Sequence, residues 1–158
     1  MSDGMTEPTA PASRPCCEGS RGATACVFAR ALLARTAVCE RAKRRSVGER
    51  DQIECSSPVA HTNCSTLDAL LHERARFALR LPAPGHPIVH AQLLKLQCGG
   101  LVGLQQVLDA PQADVHCMVG LAHERHGSLT NLPWETIVQT IRQWQAHRPR
   151  RPHKPTTP

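Results

Sequence analysis

The segment from Ile88 to Leu108, IVHAQLLKLQCGGLVGLQQVL, carries two neighbouring lines of apolar residues at helical spacing. One line holds Val89, Leu93, Leu96, Leu104 and Val107, and the other holds Leu94, Cys98, Leu101 and Leu108. A helix that is apolar on more than one side must be covered by several other elements. We therefore predict that this segment is the central helix of the fold.

Three glycines, Gly99, Gly100 and Gly103, lie inside this predicted helix. Each costs up to about 1 kcal/mol relative to alanine in a helix interior. Such a cost is easiest to understand where another group must approach the helix backbone closely. Two candidates remain open: a crossing helix, favoured by the Gly99-x-x-x-Gly103 spacing, or a metal cluster bound beside Cys98.

Helical periodicity and helix-start residues predict four further helices around the central one. They cover residues 25–45, residues 65–80 with Ser65 as N-cap, Asp114 to about His126, and a last segment with Pro133 near its start. Residues 49–65 lack such a pattern and hold two cysteines. No segment alternates with a period of two. The predicted fold class is therefore all-α, a small bundle of about five helices with a Cys-bearing irregular loop.

The two ends of the 158-residue chain differ from its middle. Residues 1–15 predict a disordered leader, and residues 148–158, RPRRPHKPTTP, predict a disordered basic Pro-rich tail, which leaves 16–147 as a single helical Cys-rich domain. The start of the chain has no basic and apolar signal-peptide pattern, and no run of 18 apolar residues exists. We expect a cytoplasmic protein without a membrane span.

Composition and motifs weigh against several classes of function. Aromatic residues are 3% of the chain, with no Tyr, which argues against base-stacking platforms for nucleic acids. G-x-S-x-G, Walker and G-x-G-x-x-G motifs are all missing from the sequence. An enzyme is therefore not indicated, although a Cys/His hydrolase is not excluded.

Eight cysteines are the largest departure from average composition. They are Cys16, Cys17, Cys26, Cys39, Cys55, Cys64, Cys98 and Cys117. Structural disulfides are rare in a reducing cytosol, so ligation of a metal or cluster is the leading explanation. The sequence contains no C-x-x-C pair, which weighs against zinc ribbons, thioredoxin-type sites and ferredoxin runs.

Two C-x8-C pairs stand out, Cys17 with Cys26 and Cys55 with Cys64. Both spacers are small, polar and flexible, and in each pair the second cysteine lies at a predicted helix start. The positive end of a helix stabilises a thiolate, the form that ligates metal. Four thiolates suit a [4Fe–4S] cluster, a [2Fe–2S] cluster or a tetrahedral zinc ion. We predict an iron–sulfur cluster, [4Fe–4S] in preference, with zinc as the alternative.

The preferred ligands are Cys17, Cys26, Cys55 and Cys64, with Cys39 and Cys98 in reserve. Cys39 is kept because the chain must fold back through Gly48 and the segment to Ile53 is short, so Cys39 would lie nearer to Cys55 and replace Cys17. The competing interpretation of Cys39, and of Cys117 on the next-to-last helix, is a small buried core residue.

His61 lies inside the Cys55–Cys64 spacer. It is a candidate metal ligand, together with Cys26, Cys55 and Cys64, or a hydrogen-bond donor to a cluster sulfur.

Three functions follow from these patterns. The first is a small iron–sulfur protein that acts as an electron carrier or accessory subunit, with a redox protein as partner. The second is a regulator that senses oxidant or metal and contacts nucleic acid or a protein through basic segments such as residues 142–154. The third is a metal-free helical interaction protein with buried cysteines.

Overall fold

The computed structural model describes residues 24–146. Helices dominate, and a small sheet stands at the N-terminal side. The elements in chain order are β1 (Thr24–Ala25), α1 (Ala29–Leu33), β2 (Ala42–Val47), β3 (Arg50–Cys55), α2 (Pro58–Ala75), α3 (His90–Leu108), α4 (Val115–His126), a 3-10 turn (Leu129–Asn131) and α5 (Trp134–Gln143). The predicted leader and tail lie outside the described residues.

The all-α prediction is wrong, because residues 24–55 contain a three-stranded antiparallel sheet in the order β1-β3-β2. β2 and β3 form a hairpin that pairs Val47 with Arg50 across a two-residue turn. Gly48 adopts φ +62° in that turn, a conformation that glycine reaches without steric cost. β2 carries AKRRSV and is exposed over nearly its whole length, so it lacks the alternation that marks a half-buried strand.

The predicted helix over 25–45 is also wrong. Only Ala29–Leu33 is helical, and Arg35 leaves the helix with φ 57°. The predicted irregular loop over 49–65 is instead β3 followed by the first two turns of α2. Ser57, not Ser65, is the N-cap of α2, and its hydroxyl accepts a hydrogen bond from the Ala60 N–H at 3.2 Å.

The central position of α3 is confirmed, since nine of its residues are buried and it packs against α1, α2, α4 and α5. Its glycines allow a crossing helix to approach. A Cβ built on Gly99 would lie 2.9 Å from Ile141 Cα, and one on Gly103 would lie 3.1 Å from Ile137 Cα. The close neighbour is therefore α5 at Gly99 and Gly103, and the Leu71 side chain of α2 at Gly100, so the glycines need no bound cluster to explain them.

α4 and α5 lie close to their predicted positions. Asp114 caps α4, and Pro133 directly precedes α5, whose Trp134, Ile137 and Ile141 are buried. Across residues 24–146, none of the helices has both the length and the apolar character needed to cross a lipid bilayer.

Candidate metal centre

Four half-buried cysteines from separate parts of the chain line one small cavity between the sheet, α2 and the start of α4. They are Cys26, Cys39, Cys55 and Cys64. The rest of the lining is mostly apolar, with Phe28, Ala60 and Val115 fully buried around it. The fold thus collects four soft donors at one place and shields them with hydrocarbon.

The sheet positions two of these cysteines. Cys55 is the last residue of β3 and lies opposite Thr24 on one side and Ala42 on the other. Cys26 directly follows β1, and its backbone N–H donates to the Ile53 carbonyl at 2.8 Å. The Cys55 thiol donates to the Ser57 carbonyl at 3.3 Å, at the turn into α2.

Cys64 comes from α2 and not from a loop. It lies about two turns inside the helix that begins at Pro58, so the prediction that a helix N-terminus stabilises its thiolate is wrong. Burial raises the pKa of the Cys64 thiol to about 12, and the nearby Cys39, Cys26 and Cys55 sulfurs add to the rise. The thiol is therefore protonated at neutral pH in the metal-free protein.

Cys39 lies in the connection between α1 and β2, next to the first turn of α4. Burial raises the pKa of its thiol, while backbone N–H groups of Arg41 and His116 donate towards the sulfur and oppose the rise. Burial likewise raises the pKa of the Cys26 thiol against a backbone hydrogen bond from Phe28. Metal binding must therefore release protons from these sites.

Two histidines complete the wall of the cavity. His61 Nε2 lies 3.2 Å from the Ala25 carbonyl oxygen, which ties α2 to β1. His116 Nε2 lies 3.6 Å from Glu40 Oε1. His61 was a predicted site residue. His116, at the start of α4, was not among the predicted site residues, and the fold places it in the lining of the cavity.

The cavity among the sulfurs is small, about 10 Å³, which is room for about one water molecule. Within residues 24–146, no three His, Cys, Asp or Glu side chains are placed to hold a single metal ion. The thiols surround the cavity without converging on one point. Binding a metal group therefore requires the cysteine side chains to rotate.

The other predicted site residues are placed elsewhere or not described. Cys98 is fully buried on α3 and is not among the residues that line the cavity. Cys117 is exposed on α4. Cys17 lies outside the described residues. The structure therefore brings together Cys26, Cys55 and Cys64 with the reserve candidate Cys39.

No protein-family model matches the chain, and no curated protein or solved structure is significantly similar to it.

Proposed function

We propose that Cys26, Cys39, Cys55 and Cys64 bind an iron–sulfur cluster, [4Fe–4S] in preference, and that the protein is an electron carrier or accessory subunit of a redox system. The observation that carries this proposal is the cavity that these four thiols share. Cys26 directly follows β1 and Cys55 is the last residue of β3. Cys39 lies in the connection between α1 and β2, and Cys64 lies on α2. Such a set of separate segments suits a cluster, whose ligands need no close sequence pairing.

The residues present fit such a group in donor type and number. Four thiols supply the full ligand set of a [4Fe–4S] or [2Fe–2S] cluster. Backbone hydrogen bonds from Phe28 to Cys26, and from Arg41 and His116 to Cys39, oppose the rise in the pKa of these two thiols. Hydrogen bonds of this kind stabilise bound thiolates and set the reduction potential of a cluster.

The surroundings favour one-electron chemistry, which the cluster would supply when bound. Phe28, Ala60 and Val115 exclude water from the inner side of the cavity. The cysteine residues themselves are only half buried, and in this proposal a redox partner approaches from their outer side. In this account the chain binds the group, limits its contact with water and presents one side of it.

The proposal is tested by anaerobic purification followed by analysis of iron, acid-labile sulfide and zinc, together with an absorption spectrum. We expect iron and sulfide in equal amounts and a broad absorption band that bleaches on reduction. If the analysis finds one zinc ion per chain and no iron, it contradicts the cluster and supports the zinc alternative. Protein that takes up neither metal, even after anaerobic incubation with ferrous iron and sulfide, would contradict the proposal.

A further inference from the structure

Asp114 connects the Cys39 segment to the start of α4. Its side chain is 7% exposed. One carboxylate oxygen, Oδ2, accepts a hydrogen bond from the Glu40 backbone N–H at 2.8 Å, across 74 positions of sequence. The other, Oδ1, accepts from the Cys117 N–H at 2.9 Å and caps α4. One carboxylate thus holds two distant segments together.

The backbone reinforces this connection on the other side of Cys39. Val38 pairs with Asp114 in an isolated parallel bridge. The Val38 N–H donates to the Ala113 carbonyl and the Val115 N–H donates to the Val38 carbonyl, both at 2.9 Å. Cys39 therefore stands between two residues, Val38 and Glu40, that are both anchored to residues 113–115.

This arrangement has a direct effect on the Cys39 sulfur. The segment lies against the first turn of α4, and a backbone hydrogen bond from His116 there opposes the rise in the pKa of the Cys39 thiol. The Asp114 carboxylate also lies near enough to act on the Cys39 and Cys64 thiols as a negative charge. Glu40 is another acid on this side, and its Oε1 lies 3.4 Å from Arg41 Nε and 3.6 Å from His116 Nε2.

We infer that Asp114 is a positioning residue for the metal centre, which fixes the Cys39 sulfur against α4 and places a buried negative charge beside it. This inference rests on the proposed function. A fixed negative charge opposes the addition of an electron, so Asp114 holds the reduction potential of a bound cluster low.

Three substitutions at this position separate anchoring, charge and helix capping. Asp114→Asn keeps the size and the α4 cap but removes the charge, and its amide cannot accept from both N–H groups. Asp114→Ser keeps only the cap. Asp114→Glu keeps the charge and is the conservative rescue. Ser128→Ala is the matched control, because it removes the cap of the 3-10 turn at the far end of α4, about 18 Å away along a 12-residue helix.

Two measurements are made on each variant. The first is the alkylation rate of Cys39 in the metal-free protein, followed by peptide mass spectrometry. The second is the midpoint potential of the reconstituted protein, followed by absorption. We expect Asp114→Asn and Asp114→Ser to raise the alkylation rate of Cys39 about tenfold, because the Cys39 segment is released. This is the size expected from the loss of one hydrogen bond to a charged group. We expect their potentials to be more positive, with Asp114→Glu and Ser128→Ala close to the wild type.

The inference is overturned if folded Asp114→Asn and Asp114→Ser proteins keep both the wild-type Cys39 rate and the wild-type potential. It is also overturned if Ser128→Ala gives the same changes, since helix capping alone would then explain them. A wild-type protein that takes up no cluster would contradict the proposed function, but it would not decide the role of Asp114. The alkylation comparison still decides whether Asp114 positions Cys39.

Discussion

Gln97 on the central helix α3 donates a hydrogen bond from Nε2 to the Val27 backbone carbonyl at 2.8 Å, across 70 positions of sequence. Gln97 is 3% exposed, and its Oε1 has no hydrogen-bond partner among the described residues. Val27 directly follows Cys26. The buried amide therefore fixes the segment that carries one wall of the cavity to the central helix of the fold.

Replacing this amide tests its role in stability. Gln97→Leu leaves the Val27 carbonyl without its partner, and we expect the free energy of unfolding to fall by about 1–3 kcal/mol. Gln92→Leu is the matched control on the same helix, because half-buried Gln92 donates to the Leu79 carbonyl at 3.2 Å away from the cavity. Its effect should stay within about 0.5 kcal/mol in urea unfolding. Equal losses in the two variants would remove the special role of Gln97.

The approach of α5 to α3 predicts opposite effects of alanine at two helical glycines. Gly99→Ala would place a Cβ 2.9 Å from Ile141 Cα, a backbone atom that no side-chain rotation can move. We therefore expect the free energy of unfolding to fall by about 1–3 kcal/mol. Gly120→Ala on α4 meets nothing within 4 Å and should gain up to about 1 kcal/mol from helix propensity. Urea unfolding measures whether the free energy of unfolding falls in Gly99→Ala and rises in Gly120→Ala. A stabilised Gly99→Ala protein would contradict the packing described above.

Asp68 gives a pH dependence with a definite sign. Burial raises its pKa above the ordinary value of 3.8, although His72, Gln97 and Arg30 pull it down. The folded protein therefore binds this proton more tightly than the unfolded chain. Protonated Asp68 therefore stabilises the folded state relative to the unfolded chain. This stabilisation is complete below pH 3.8 and is lost as the pH rises through the folded-state pKa of Asp68.

Asp68→Asn isolates this effect, since the amide does not titrate. We expect the stability of the variant relative to the wild type to increase from pH 3.5 towards neutral pH, measured as the midpoint of urea unfolding at each pH. Stability differences that stay constant, or that change in the opposite direction, would show that burial does not penalise this carboxylate.

The helical half of the fold could be predicted because its residues follow one period. α3, α4 and α5 show apolar residues at helical spacing, and Asp114 and Pro133 mark helix starts. The sheet could not be predicted in this way. β2 buries almost nothing, and it is held by pairing with β3 and by the turn at Gly48.

The candidate site was predicted in part, and for a partly incorrect reason. Cys55 and Cys64 do line one cavity, but they are brought there by a strand, a turn and a helix, not by a flexible loop. The position of Cys39 depends on the Asp114 bridge, a contact over 74 residues that no local pattern reveals. That all four cysteines are ligands stays a prediction.

The iron content of single Cys→Ser variants, measured per chain after anaerobic reconstitution, tests the central claim most directly. For a [4Fe–4S] cluster we expect about four irons in the wild type, and a large loss in Cys26→Ser, Cys39→Ser, Cys55→Ser and Cys64→Ser. Cys117→Ser, at an exposed thiol, and Cys98→Ser, at a buried thiol away from the cavity, should keep the wild-type content. Full iron in both Cys55→Ser and Cys64→Ser, or no iron in the wild type, would contradict the account.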